Sequence, residues 1–151
     1  MQGRRSAQRA LLAAVVSAGV LGGCSNMSGT LAQRVQQWAA AAPFGADDST
    51  IQLDLTELAA GLRLHELKAL RTECQGFSVD VSALYATLPT PDRTATDDLN
   101  TALVTWTNAA AACYSSSSFT SRPFATYRRE LAQGSRAYAV AKKRLASFGV
   151  R

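Results

Sequence analysis

Side chains with chemistry to offer are few in this 151-residue sequence: three cysteines, one histidine and eleven carboxylates. Cys24 directly follows an uncharged run from Ala10 to Gly23 rich in Leu, Val and Ala, and Arg4, Arg5 and Arg9 precede that run. Basic residues, a short apolar stretch and then small residues are the layout of an export signal. The run falls short of the roughly 20 residues a helix needs to cross a bilayer, so it reads as a removable signal rather than a permanent span. His65 beside Glu66 offers one imidazole and one carboxylate without the nucleophile and oxyanion donors that catalysis requires, and reads as the start of a helix. Zinc needs about four N or S ligands, which one histidine and two spare cysteines far apart in sequence do not supply. With no phosphate-binding loop, no Gly-x-Ser-x-Gly and no metal-ligand spacing, no catalytic residue, metal or cofactor is expected.

The four residues Leu21-Gly22-Gly23-Cys24 resemble the lipobox of bacterial lipoproteins. This resemblance covers the first two dozen residues and implies an address and an anchor, with no activity attached. It implies cleavage before Cys24, transfer of a diacylglyceryl group to the thiol, and residence on the extracytoplasmic face of the cell membrane. Acyl chains contribute about 0.8 kcal/mol per buried methylene, enough to hold a protein that makes no bilayer contact of its own. An ordinary secretory signal, leaving Cys24 a free thiol, is the competing reading. The expected organisation is a signal peptide over 1–23, a lipidated polar tether over 24–29 and a single domain over 30–151. Arg outnumbers Lys 13 to 3, in keeping with a high-GC bacterial genome. Without Arg4, Arg5 and Arg9 the basic residues number 13 against 11 acids, so overall charge names no partner.

Export places Cys74 and Cys113 where disulfides form and persist, and one bond between them is the reading adopted, two free thiols being the alternative. The elements that position them are helical by pattern. A first helix is expected from Thr30, carrying Leu31, Val35, Trp38 and Ala42 until Pro43 and Gly45 end it. Asp47-Asp48-Ser49-Thr50 then offers caps for a second short helix through Ile51, Leu55, Leu58 and Leu62. Ile51, Leu53 and Leu55 also alternate with polar residues, so a strand competes there. The segment from Leu64 to Leu88 bears the strongest seam: Leu67, Leu70, Cys74, Phe77, Val81, Leu84 and Leu88 step by threes and fours until Pro89-Thr90-Pro91 closes it.

The next helix carries Leu99, Leu103, Trp106, Ala110 and Cys113. In an antiparallel pair Cys74 lies about 21 Å before Leu88, and a start at Asp97 sets Cys113 about 24 Å in, against about 33 Å for a start at Pro91. Thr96 is therefore the expected N-cap, with Pro91 still open if the pair is tilted. Ser115 to Ser118 reads as a connecting loop. The last helix runs from Pro123 with Phe124, Tyr127, Leu131, Gly134, Tyr138, Ala141, Leu145 and Phe148 on one stripe, Gly134 marking close helix contact. Trp38 and Trp106 fall on apolar stripes and read as core. The whole predicts an all-α antiparallel helical bundle stapled by Cys74 and Cys113.

From Arg122 to Arg151 eight basic residues face one acid, Glu130, whereas residues 24 to 121 hold five basic and ten acidic side chains. Arg128, Arg129, Arg136, Lys142 and Lys143 form the candidate binding face, for anionic lipid, an envelope protein or a wall polymer. A solvated helix whose charges are balanced by neighbours is the plainer alternative. Export and the lack of a recognised motif argue against nucleic acid. The arrangement of Cys74, Leu88-Pro89-Thr90-Pro91-Asp92, Trp106 and Cys113 resembles small all-helical lipoproteins of actinomycetes, loosely and over about 40 residues. The expected function is a membrane-anchored, non-enzymatic binding or structural module of the cell envelope. A carrier of an apolar ligand between the helices is the alternative, and a hydrolase of envelope material has location alone in its favour.

Overall fold

The computed structural model describes residues 29–150. The segment expected to be a signal peptide, Cys24 and the rest of the expected tether up to residue 28 lie outside the described residues, as does Arg151. The described chain is all-helical: α1 Leu31–Ala41, α2 Phe44–Leu64, α3 Leu67–Tyr85, α4 Arg93–Tyr114 and α5 Arg122–Ser147. No helix among the described residues is long and apolar enough to cross a membrane.

Thr30 opens α1 through a capping box, its hydroxyl accepting from the Gln33 N–H while the Gln33 side chain accepts from the Thr30 N–H. The expected Asp-Asp-Ser-Thr cap of the second helix is not what starts it. α2 begins at Phe44, directly after Pro43, and is a full-length bundle helix of 21 residues rather than a short one. Ser49 and Thr50 donate back to the carbonyls of Gly45 and Ala46 from within it. Phe44 is buried at this start and packs against Trp38 with ring centroids 5.3 Å apart. The helical period also settles the strand alternative, since Ile51 and Leu58 are buried while Leu53 is 57% exposed.

The seam expected over Leu64 to Leu88 is real but shorter at both ends. Leu64 belongs to α2, and His65, at φ 54°, is the C-cap of α2 rather than the start of a helix. Leu70, Cys74, Phe77, Val81 and Leu84 of α3 are buried as the three-four stepping predicts.

The largest local departure concerns α4, whose N-cap is Asp92, not Thr96. The Asp92 carboxylate accepts from the Ala95 N–H at 2.7 Å. Thr96 is occupied elsewhere: its hydroxyl accepts from the Thr90 N–H at 2.9 Å and pins the turn before the helix. Cys74 lies 11 residues before the end of α3 and Cys113 20 residues after the start of α4, so an antiparallel pair is uneven by about 13 Å. The connection 86–92 supplies that length, and the two cysteines still meet, bonded, with Cα atoms 6.3 Å apart.

α2 to α5 form an antiparallel bundle in which α3 packs on α2 and α4, and α4 packs most extensively on α5. At one end His65 of the α2–α3 link stacks on Phe119 of the α4–α5 link, which in turn meets Phe124 edge-on. At the other end α1 closes the bundle: Trp38 Nε1 donates to the Thr87 carbonyl at 2.9 Å and Gln36 Nε2 to that of Phe148 at 2.6 Å. The centre is Trp106, fully buried between Phe77 and Tyr138 at centroid distances of 5.5 and 4.8 Å. Ala95, Ala102 and Ala109 on α4, with Gly134 and Ala141 on α5, keep those two helices close.

Candidate binding face

α5 starts at Ser121, whose hydroxyl accepts from the Phe124 N–H, with Pro123 in the first turn where a missing N–H costs nothing. Phe124, Tyr127, Gly134, Tyr138, Ala141 and Leu145 bury one side of it. At 100° per residue their mean direction is about 180° from that of Arg122, Arg128, Arg129, Arg136 and Lys143, which occupy an arc of about 120°. All five of these basic residues are exposed. Arg129 meets its neighbour Glu130 at 2.9 Å; among the described residues Arg122, Arg128, Arg136 and Lys143 have no acidic partner within 4 Å.

Lys142 departs from that face. It lies at one edge of the buried stripe and its ammonium sits 2.7 Å from Asp48 Oδ2 on α2, where the Tyr138 hydroxyl also donates to Oδ1 at 3.0 Å. The other edge carries Arg144, which clasps Asp92 through two nitrogens, Nη2 to Oδ2 at 2.8 Å. The basic tail of the sequence is thus divided: Lys142 and Arg144 fasten α5 to α2 and to the start of α4, and the outward set is left for solvent or a partner.

The guanidinium hydrogen bond from Arg144 holds the Asp92 carboxyl below the usual carboxylate range, with the Ala95 N–H adding to it against the opposing effect of burial. A carboxylate with a lowered folded pKa contributes stability that is complete above its unfolded value near 4 and is lost on further acidification. Asp92→Asn keeps a capping side chain but loses the ion pair. Its thermal midpoint is expected to fall below wild type by about 5 °C at pH 7, with the gap closing below about pH 3 in a pH series of melting curves.

Acidic side chains gather on the opposite seam, between α2 and α3, where Asp54 and Glu57 face Glu73 and Asp80. Their spacings of three and seven residues mark a single face on each helix, a signal the sequence carries but which gains meaning only once α2 and α3 are paired. Desolvation first, and then Asp80, Glu57 and Glu73, push the Asp54 carboxyl up to about 7, and its Oδ2 is buried with no hydrogen-bond partner among the described residues. The sign is opposite to that of Asp92. The folded state takes up this proton between pH 7 and the unfolded value near 4, so stability rises as pH falls through that window and the penalty is complete above 7. Asp54→Asn is expected to stabilise the protein at pH 8 by about 1 to 2 kcal/mol, well below the full linkage value because the carboxyl is only partly buried and water screens it. Urea unfolding at pH 5 and pH 8 checks this, the gain being small at pH 5.

His65 is exposed, with Nδ1 3.2 Å from the Arg63 carbonyl oxygen, and the neighbouring Glu66 is exposed as the N-cap residue of α3. Among the described residues no three His, Cys, Asp or Glu side chains converge as metal ligands would. A cleft of about 360 Å³ opens where α5 leaves α2, lined by Gln52, Leu55, Trp106, Ser135, Tyr138 and Lys142 among others. Smaller grooves of about 220 and 270 Å³ share Thr107 between α3 and α4. No known protein family matches the chain, and no curated protein or solved structure shows significant similarity to it.

Proposed function

We propose that this chain is a bacterial lipoprotein, carried by a lipid on Cys24 at the extracytoplasmic face of the cell membrane, and that it serves the envelope as a non-enzymatic binding or structural module. The observation that carries the binding role is the outward set of α5. Arg122, Arg128, Arg136 and Lys143 are exposed on one face with no acidic partner in the described fold, while Lys142 and Arg144 on the same helix are spent on internal ion pairs. Candidate partners are anionic lipid, an envelope protein or a wall polymer, reached from the membrane by a short tether.

Intact-mass measurement on protein extracted from its own membranes tests the anchor. The expected species begins at Cys24, carries acyl additions and gains two hydrogens on reduction. An unacylated soluble species, or one retaining residues 1–23, would overturn the reading.

The apolar-carrier alternative has one feature in its favour, the cleft of about 360 Å³ beside Trp106 and Leu55. Its rim is polar, with Gln52, Ser135 and the Lys142 ammonium that pairs with Asp48, so a wholly apolar ligand suits it less well than the basic face suits an anion. Native mass spectrometry of protein from its own cells separates the two readings, since a carrier would retain a lipophilic mass that survives gentle extraction.

A further inference from the structure

The charges of this bundle are sorted by side. The outward basic set of α5 spans 22 residues from Arg122 to Lys143, about 32 Å along one face. The acidic set Asp54, Glu57, Glu73 and Asp80 lies in the α2–α3 seam, and α3 has no substantial contact with α5, whose main neighbour is α4. The α5 side of the domain is therefore basic, and the four-acid seam lies between the two helices away from it. A body with that distribution, held near a negatively charged plane, turns its basic side toward the plane and its acidic side away.

The fold also says where the tether joins. Gly29, the first described residue, precedes Gln36 by seven positions, and Gln36 is bonded to the Phe148 carbonyl just beyond the end of α5. The entry point of the domain thus lies about 10 Å along α1 from the α5 terminus. Residues 24–28 add at most about 18 Å of chain. An anchor at Cys24 therefore holds the Lys143 end of the basic face within a few tens of ångströms of the headgroups. That confinement lets contacts too weak to recruit a soluble protein act as intramolecular ones. Val140 is the one large apolar side chain exposed along α5, which suits a face that rests on headgroups without inserting among acyl chains.

We propose that Arg122, Arg128, Arg129, Arg136 and Lys143 form a membrane-apposition surface for anionic phospholipid headgroups of the leaflet that carries the anchor, laying the bundle with its long axis along the bilayer. The proposal rests on the lipoprotein reading above and names the partner of its basic face. A domain lying on α5 presents the acidic α2–α3 seam and the uncharged grooves of α3 and α4 to the outside. Because the contact is electrostatic and exposed, salt releases it, the screening length being about 10 Å at 0.1 M and shorter above.

The test is neutron reflectometry on the mature lipidated protein in supported bilayers of pure phosphatidylcholine and of phosphatidylcholine with about 30% phosphatidylglycerol. On the anionic bilayer the expected protein layer is about 20 Å thick, two helix layers deep. On the neutral bilayer, or on the anionic one in about 0.5 M salt, it extends to about 40 Å, the length of α5. The triple variant Arg128→Glu, Arg136→Glu and Lys143→Glu is expected to give the thick layer on both bilayers. If that variant loses its helical signal, the two-bilayer comparison on wild type decides alone. Equal thickness on both bilayers, or a variant that lies as flat as wild type, would overturn the apposition surface while leaving the anchor intact. The absence of any protein layer on either bilayer would overturn the anchoring itself.

Discussion

Removing the Cys74–Cys113 bond, by reductant or by replacing both residues with alanine, is expected to lower stability by about 3 to 4 kcal/mol. The two sulfurs join α3 to α4 across 39 residues of sequence, and both side chains are buried on the core faces of their helices. In the chain-entropy treatment, closing a loop of that length removes about 4 kcal/mol of conformational freedom from the unfolded state, and measured values scatter toward the lower side. The bond also joins two helices on which the cysteines sit about 13 Å out of step along an antiparallel pair. Packing of Leu70, Phe77 and Val81 against α4 has to hold that register alone once the link is gone. For a domain of this size the loss corresponds to a fall in thermal midpoint of about 10 to 15 °C, read by calorimetry with and without reductant. A change below about 1 kcal/mol would mean that helix packing already restricts the unfolded chain, or that the bond contributes nothing the core does not.

Gly134→Ala is expected to destabilise, against the usual sign for such a change within a helix. An alanine in a helix interior ordinarily gains about 1 kcal/mol over glycine. Here the added methyl would run into the Trp106 indole, approaching Nε1 to 2.7 Å and Cγ to 3.0 Å. The indole has no room to retreat: it is fully buried, flanked by Phe77 and Tyr138, and its Nε1 donates to the Leu131 carbonyl at 3.4 Å. Overpacking of this kind costs about 1 to 3 kcal/mol, so after the helical gain the net loss is expected to reach up to about 2 kcal/mol and to grow with side-chain size. Gly76→Ala on α3 serves as the opposite case, since nothing lies within 4 Å of the added carbon. That variant should gain up to about 1 kcal/mol. Urea titration of the two variants beside wild type compares the signs directly, and a stabilised Gly134→Ala would show that α4 and α5 can part at little cost.

The bundle and its basic face were legible in the sequence to the extent that they depend on neighbours along the chain. A three-four stepping of apolar residues is a property of contiguous sequence, so the seams of α3 and α5, the Thr30 start of α1 and the outward direction of Arg128, Arg136 and Lys143 follow from it. Two cysteines on apolar helical seams, in a chain whose first residues read as an export signal, likewise predicted their own bond. Boundaries and charge pairing depended on residues far away. Asp92 rather than Thr96 begins α4 because its carboxylate also holds Arg144, 52 residues on, and frees Thr96 to brace the preceding turn. Phe44, at the start of α2, packs against Trp38. Lys142 looked like part of an exposed face until Asp48, 94 residues earlier, was brought within 2.7 Å of it. The acids of α2 and α3 become a strained seam only when those helices lie side by side. Local periodicity thus determined which faces are apolar and which are charged. Tertiary packing decided which charges remain available, because an ion pair forms wherever folding brings opposite charges together, however far apart they lie in sequence.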